Sequence, residues 1–476
     1  MAERYWIETL GCPKNQVDSD KLVGTLVADG YEPAGTPEQA DLVVVNTCAF
    51  IEAARQESVD TVLALSDARR DGARLVVTGC MAERYGGELA EALPEVDLVA
   101  PFGVSLSLRP SHLAGPAAES PSPGTPVSLV RKPDRAGEPP VPSFDLLNLP
   151  RPATAAPWSY IKVAEGCDRN CGFCAIPSFR GKQRSRTTAS ILAEVEQLGG
   201  PDGLLREVVL VAQDLSSFAL DRSGGRVRSS IDGPAAGGTR PIVELVGAVA
   251  ERVRWVRLLY LYPSTLDDAL VDAILATGVP YFDLSLQHVS RPLLKRMRRW
   301  GEGDRFLDRI ASIRASEPTS AFRSSFIIGY PGETEADHDL LLQWIEAAQL
   351  DWVGFFPFSS EAGTHAAGLE DQIDGALVAE RLRECTELQD GITAARRDQM
   401  PGATVEVLVD APGEGRTYRE APEIDGIVNL PADLPVGSFA EVVITGADGP
   451  DLFAEPASWP HAARTRPLAA PVGTAR

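Results

Sequence analysis

The sequence contains no run of roughly 18 uninterrupted apolar residues, so nothing in it threads a bilayer as a hydrophobic helix and no membrane partner is expected. Its start, MAERYWIETLGCPKN, lacks the basic opening and apolar stretch of a secretory leader, which leaves the cytoplasm as the expected location. Basic residues are the minority: 45 Lys and Arg stand against 67 Asp and Glu, for a net charge of −22. That balance argues against a broadly phosphate-binding surface and points to a basic partner, although a local basic patch fits within it. Cysteine is sparse and odd in number, at 7. In a reducing compartment such a set cannot form a complete disulfide framework, and metal or redox chemistry becomes the leading reading.

What is present divides into modules, as 476 residues exceed one ordinary core. The first hundred residues alternate apolar strands (Trp6 to Thr9, Leu42 to Val45, Leu75 to Thr78) with helical stretches near Val17 to Ala28 and Glu52 to Ser66, the pattern of a small parallel α/β domain. From Pro110 to Pro157 there are 12 prolines in 48 residues, which reads as a linker. Six further strand-helix units begin near Tyr160, Glu207, Val256, Phe282, Phe322 and Trp352 and predict an open or partial (β/α) barrel, with a Ser/Gly/Arg insertion at Asp221 to Arg240. After a helix near Ala379 to Gln399, short runs at Thr404 to Val409, Gly426 to Leu430 and Phe439 to Thr445 predict a small antiparallel β module, followed by a frayed tail. The fold class is therefore α/β with a C-terminal β module.

Cys167, Cys171 and Cys174 form CxxxCxxC on the loop KVAEGCDRNCGFCAIPSFRG, just after a predicted strand. Three thiolates on one loop hold three irons of a [4Fe–4S] cluster and leave the fourth open. An open iron can chelate S-adenosylmethionine, and an electron passed to it breaks a carbon–sulfur bond to give an adenosyl radical. A zinc site fits less well, because no fourth cysteine or histidine lies nearby. Cys12, Cys48 and Cys80 are far apart in sequence, yet each follows the C-terminal end of a predicted parallel strand, the edge where ligands bind in such sheets. They converge on a second site or are three buried thiols, and spacing leaves both readings open. Cys385, on a predicted helix, reads as packing.

Three segments together, GCPKNQVDSD at Gly11 to Asp20, EGCDRNCGFCAIPSFRG and SFIIGYPGET at Ser325 to Thr334, resemble the methylthiotransferase family of radical-SAM enzymes over nearly the whole chain. The resemblance implies an N-terminal domain at 3–116 holding an auxiliary [4Fe–4S] cluster on Cys12, Cys48 and Cys80. It further implies a Pro-rich linker at 117–152, a radical SAM core at 153–385 and a TRAM domain at 387–463. Cys12-Pro13-Lys14-Asn15 and the stretch GRTYREAPEIDGIV are similar to the branch that modifies a ribosomal protein, for which the implied reaction is methylthiolation of the β-carbon of one aspartate in small-subunit protein twelve. One S-adenosylmethionine supplies the methyl group and another the radical. Residues 400–466 carry eleven Asp and Glu against four Arg and no Lys, which suits a basic ribosomal protein rather than nucleic acid as direct substrate. The alternatives are the tRNA-modifying branch and, from another class, an electron carrier or redox sensor without a substrate. A flavodoxin- or ferredoxin-like electron donor is expected.

Around the cofactor, Phe173 stands where the family places a residue beside the adenine. Gly329, after a buried strand, either lets the adenine approach the backbone or merely makes a turn. Arg323 either pairs with the methionyl carboxylate or is a solvated barrel charge. Gln213 with Asp214, and Gln287 with His288, end two barrel strands and are placed toward the cofactor face without an assigned role.

Overall fold

The computed structural model describes residues 2–104, 106, 146–199, 203–222 and 240–457. The chain divides into two compact units: Met1–Pro152 with Glu165–Asp168 and Ala175–Arg186, and the remainder. The CxxxCxxC loop contributes Cys167 to the first unit and Cys171 and Cys174 to the second. No helix among the described residues is long and apolar enough to cross a membrane.

In the first unit, β1 (Arg4–Thr9), α1 (Pro13–Ala28), β2 (Glu32–Pro33), β3 (Leu42–Thr47), α2 (Glu52–Ala68), β4 (Arg74–Gly79), α3 (Cys80–Ala92) and β5 (Leu98–Ala100) follow in order. The strands form one parallel sheet, β2-β1-β3-β4-β5. β3 reads LVVVNT and is buried along its whole length, as a central strand covered on both faces must be. Helix α1 begins at Pro13, four residues before the predicted start. Proline is tolerated at the first helical position, where its missing N–H has no intrahelical partner to lose, and Cys12 becomes the N-cap.

Of the expected linker, 117–145 lies outside the described residues. Its described end is not free: Leu146–Asn148 forms a 3-10 turn, Lys21 Nζ donates to Leu147 O at 2.7 Å, and Arg151 pairs with Asp20 at 2.7 Å. Gly24 admits this close approach, since a Cβ there would lie 2.4 Å from Pro150 O.

The second unit starts with β6 (Trp158–Lys162); β7 (Ala164–Glu165) precedes the cysteine loop in sequence, and α4 (Ile176–Arg180) and β8 (Arg184–Ser185), which follow it, belong to the first unit. Next come α5 (Thr188–Gly199), β9 (Glu207–Val211), α6 (Pro241–Ala250), β10 (Trp255–Leu258), α7 (Asp268–Ala276), β11 (Tyr281–Gln287), α8 (Arg291–Arg296), α9 (Gly303–Ser316), β12 (Ala321–Ile328), α10 (Glu335–Ala348), β13 (Trp352–Pro357) and α11 (Gly375–Arg397). Strands β6-β9-β10 and β11-β12-β13 are two parallel triplets, joined by a bridge between Leu261 and Leu284, so the six expected strands run in chain order as an open barrel. The core of the expected insertion, 223–239, lies outside the described residues.

The C-terminal module is a closed barrel, β14 (Thr404–Ala411), β15 (Glu414–Arg416), β16 (Val428–Asn429), β18 (Asp451–Pro456) and β17 (Phe439–Asp448). It is not wholly antiparallel, because β16 and β18 pair in parallel. It belongs to the same compact unit as the open barrel. Glu207 on β9 meets Arg257 on β10 at 2.7 Å and Arg416 on β15 at 2.8 Å, all fully or almost fully buried. Tyr160 donates to Pro422 O at 2.7 Å.

Candidate metal centres

Cys12, Cys48 and Cys80 follow β1, β3 and β4, three adjacent parallel strands in register, so their turns open on one edge of the sheet. Cys12 caps α1, and Cys80 is the first residue of α3, which puts two thiols at the positive ends of helix dipoles. Gly11 and Gly79 have φ of +95° and +89°, and both turns are tight. A Cβ on Gly11 would stand 2.8 Å from Cys48 Cβ and 3.0 Å from its Sγ, and one on Gly79 would stand 2.6 Å from Thr47 O.

Asn15 ties the turns together. Its Nδ2 donates to Leu10 O at 2.8 Å and Thr47 O at 3.1 Å, while Asn46 Nδ2 donates back to Asn15 O at 2.9 Å. Arg180 enters the same place, donating to Asn15 Oδ1 at 2.7 Å and to Cys80 Sγ at 2.9 Å, with Asp18 and Glu165 as its carboxylate partners at 3.3 and 2.9 Å. Sequence alone gives neither residue a role, although Asn15 lies in GCPKNQVDSD and Arg180 in EGCDRNCGFCAIPSFRG. The thiols respond unequally to these surroundings. Burial works to raise Cys12, but Lys14, Arg180 and the backbone N–H groups of Asn15 and Lys14 hold it below the ordinary thiol range. Burial pushes Cys48 up to about 12, with nearby Cys12 adding to the effect.

As placed, no three His, Cys, Asp or Glu among the described residues close around a point that holds a single metal ion. A cubane makes a different demand, since each thiolate binds its own iron and the sulfurs stand apart. The donor set fits such a group: three thiols on three turns of one sheet edge, two at helix N-termini, with a buried guanidinium to balance thiolate charge.

In the first unit, Cys167 N donates to Gly181 O at 3.1 Å. In the second, Cys174 N donates to Cys171 O at 3.2 Å, and Gly172 N donates to Met297 O at 2.7 Å. Arg299 Nη1 donates to Cys171 Sγ at 3.3 Å and lies over the Tyr262 ring at 4.3 Å. Arg169 stacks on the same ring at 3.8 Å and pairs with Asp214 at 2.6 Å, so Asp214, three residues past the end of β9, is joined to the cysteine loop. Phe173 packs on the core of the open barrel. Gln213 follows β9, and Gln287 ends β11 with φ +73°, an uncommon conformation for a side-chain-bearing residue. His288 beside it is fully buried.

Two placements differ from expectation. Gly329 has φ +79° at the end of β12, but the space a side chain would take is filled by Val378 of α11, 2.4 Å from an added Cβ, so its small size serves that packing. Arg323 stands six residues earlier on β12, roughly 20 Å along a strand, and its guanidinium is held by Asp283 and Asp425, each at 3.3 Å. Two buried carboxylates already neutralise it, which leaves no charge for a methionyl carboxylate. Cys385 is fully buried on α11, and burial pushes its thiol up to about 12.

On the C-terminal barrel, Arg416 and Arg419 are drawn into ion pairs with Asp410 and Asp351 at 2.6 and 3.0 Å. Glu406, Glu414, Glu423, Asp433, Glu441 and Asp448 are exposed. The described outer surface of this barrel is therefore acidic.

Family profiles match three stretches: an uncharacterized protein family, UPF0004, at residues 4–101, the Radical SAM superfamily at 161–345 and a TRAM domain at 402–456. Curated relatives span nearly the whole chain. A ribosomal protein uS12 methylthiotransferase RimO of Cutibacterium acnes is 39% identical, covering 94% of this chain and 97% of its own. Those of Salinispora tropica and Moorella thermoacetica are each 39% identical, covering 95% and 93% of this chain and 95% and 96% of theirs. The chain belongs to the RimO family of methylthiotransferases. Within this RimO-family chain the three profile matches fall on the parallel sheet, the open barrel and the closed β barrel, and the six cysteines outside α11 lie in or beside the first two.

Proposed function

We propose that this chain attaches a methylthio group to the β-carbon of one aspartate of ribosomal protein uS12, in the cytoplasm, with S-adenosylmethionine as methyl donor and radical source. The observation that carries the reading is the near full-length identity to RimO relatives in three organisms. The acidic outer surface of the C-terminal barrel supports a basic protein substrate over tRNA, whose phosphates it would repel.

In this proposal Cys167, Cys171 and Cys174 hold one [4Fe–4S] cluster and Cys12, Cys48 and Cys80 hold another. When bound, the clusters supply a reducing electron to S-adenosylmethionine and an open iron for sulfur delivery. The chain's own residues do the rest. The tight turns at Gly11 and Gly79 fix the three N-terminal thiols, and Arg180 balances their charge once metal binding deprotonates them. Phe173, Gln213 and Gln287 are the S-adenosylmethionine-facing side chains. The N-terminal sheet, the radical core and the TRAM barrel are the three functional modules, and the electron comes from a flavodoxin- or ferredoxin-like donor.

The test is anaerobic reconstitution, iron and sulfide analysis, and incubation with uS12 and with tRNA followed by mass measurement. About eight irons per chain and a mass gain on uS12 alone are expected; modified tRNA beside unmodified uS12 would overturn the assignment. Cys171→Ala should abolish 5′-deoxyadenosine formation, whereas Cys48→Ala should spare it and block sulfur insertion.

A further inference from the structure

In a chain of net charge −22, the segment from Arg291 to Arg305 is strongly basic, with six basic residues against two acidic ones. Helix α8 is short and turns sharply after Met297: Arg298 has φ +54°, and Arg299 N donates back to Leu294 O at 2.8 Å. The turn sends Leu293, Leu294 and Met297 into the core and leaves Lys295 and Arg298 exposed. Between this turn and α9 lies a cavity of about 230 Å³, where Arg291, Lys295, Arg299, Arg305 and Trp300 surround a single carboxylate, Glu302. Arg291 and Arg305 share that carboxylate at 3.4 and 2.9 Å, so the cavity keeps a clear positive excess.

The same turn lies directly against the cysteine loop. Met297 O accepts from Gly172 N, and Arg299 reaches from the cavity wall to Cys171 Sγ at 3.3 Å. A Cβ on Gly172 would meet Tyr330 Oη at 3.0 Å and Arg296 O at 3.3 Å, so the two backbones are in close contact.

We infer that this basic face is the docking surface for the acidic one-electron donor protein that reduces the cluster on Cys171 and its neighbours. The inference rests on the reading of Cys171 as a cluster ligand. A basic substrate protein would be repelled here, and the surface is too open for a small anion, Arg291 being 75% and Arg305 50% exposed. Long exposed cations steer an acidic protein from a distance and set its orientation. RNA offers the same charge but has no use for a patch whose inner wall touches a cluster thiol. In each transfer the reduced donor loses one electron and the cluster site gains it. That electron then enters the carbon–sulfur bond of S-adenosylmethionine that breaks, and no proton moves in the docking step.

The test compares wild type with R291E/K295E/R305E, both as reconstituted holoenzyme, measuring 5′-deoxyadenosine formed with dithionite or with reduced flavodoxin. Dithionite needs no docking, so its rate should be unchanged within about twofold. The flavodoxin-driven rate should fall about tenfold or more, and in wild type it should fall as salt rises. An unchanged flavodoxin rate in the variant overturns the inference, as does loss of ribosomal RNA binding with the flavodoxin rate intact. If wild type shows no dithionite-driven cleavage despite full iron loading, the cluster reading fails instead. Should the triple variant not fold, the wild-type salt dependence decides: a flavodoxin rate that ignores salt overturns the docking surface.

Discussion

Arg180 Nη2 lies 2.9 Å from Cys80 Sγ, although 100 residues separate the two in sequence. Arg180 ends the short helix α4, which follows the CxxxCxxC motif, and its side chain is buried among Asn15, Asp18 and Glu165 in the first unit. Burial works against its charge, yet Cys80, Glu165 and Asp18 raise its affinity for the proton well above the ordinary guanidinium value. The residue after the radical motif is thus built into the surroundings of the other cysteine group.

Arg180→Lys keeps the charge and loses the fork that meets Asn15 and Cys80 together. The expected outcome is a folded protein with near-normal iron, an altered auxiliary-cluster EPR spectrum, and methylthiolation reduced about tenfold while 5′-deoxyadenosine formation persists. An unchanged spectrum and product yield would remove Arg180 from this role. Arg180→Ala is harsher: stripping the cation from Asp18 and Glu165 should cost about 3–5 kcal/mol in urea unfolding.

Gly11 and Gly72 both have positive φ, +95° and +80°, but only Gly11 has a neighbour in the way. Alanine at either position pays backbone strain of about 1–2 kcal/mol. At Gly11 the new methyl also displaces Cys48. Gly11→Ala should therefore lose about half of the bound iron and retain S-adenosylmethionine cleavage, whereas Gly72→Ala should keep full iron at a similar stability cost. Equal iron contents in the two variants would show that the tight turn at Gly11 does not position Cys48.

The arrangement of Cys12, Cys48 and Cys80 on one sheet edge is legible in the sequence because strand, turn and cysteine recur three times, and parallel strands align their C-terminal ends. The six barrel strands are legible because each carries a run of apolar, β-branched or aromatic residues, from the wholly buried EVVLV of β9 to the aromatic WVGFFP of β13. Arg180 is not, since a contact across 100 residues leaves no periodic trace, and its place in EGCDRNCGFCAIPSFRG is the one signal the sequence offers. β15, at three residues, falls below any alternating pattern, and β16 is confined to two residues of the Gly426 to Leu430 run. Arg323 misleads because a strand arginine near a cofactor motif looks available until Asp425, from a different module, is seen beside it.

The buried group of Glu207, Arg257 and Arg416 ties the open barrel to the C-terminal barrel. Burial raises the carboxyl of Glu207, but Arg257 and Arg416 outweigh it and hold it below the usual range. Removing one charge leaves the others in a poor solvent. Arg416→Met, which also abandons Asp410, should lower unfolding stability by about 3–5 kcal/mol. Limited proteolysis should then cut near 398–404 faster than in wild type. A variant as stable and as resistant as wild type would show that other contacts hold the two barrels together.

His288 gives the fold a dependence on pH. Its Nδ1 accepts from Ser290 N at 3.0 Å, so the neutral ring carries its proton on Nε2, and that nitrogen is buried with no hydrogen-bond partner among the described residues. Burial, the largest influence, outweighs the nearby Asp337 and lowers the ring to about 4. An unfolded histidine titrates near about 6.5. Above that pH both states are neutral and the folded state keeps its full advantage. As pH falls toward 4 only the unfolded chain takes up the proton, so stability drops by about 1.4 kcal/mol per pH unit, on the order of 3 kcal/mol in all. His288→Gln cannot titrate and should lack this component. Urea midpoints for wild type and H288Q at about pH 7.5 and about pH 5 should therefore differ more in wild type than in the variant; equal acid losses would place the pH dependence elsewhere.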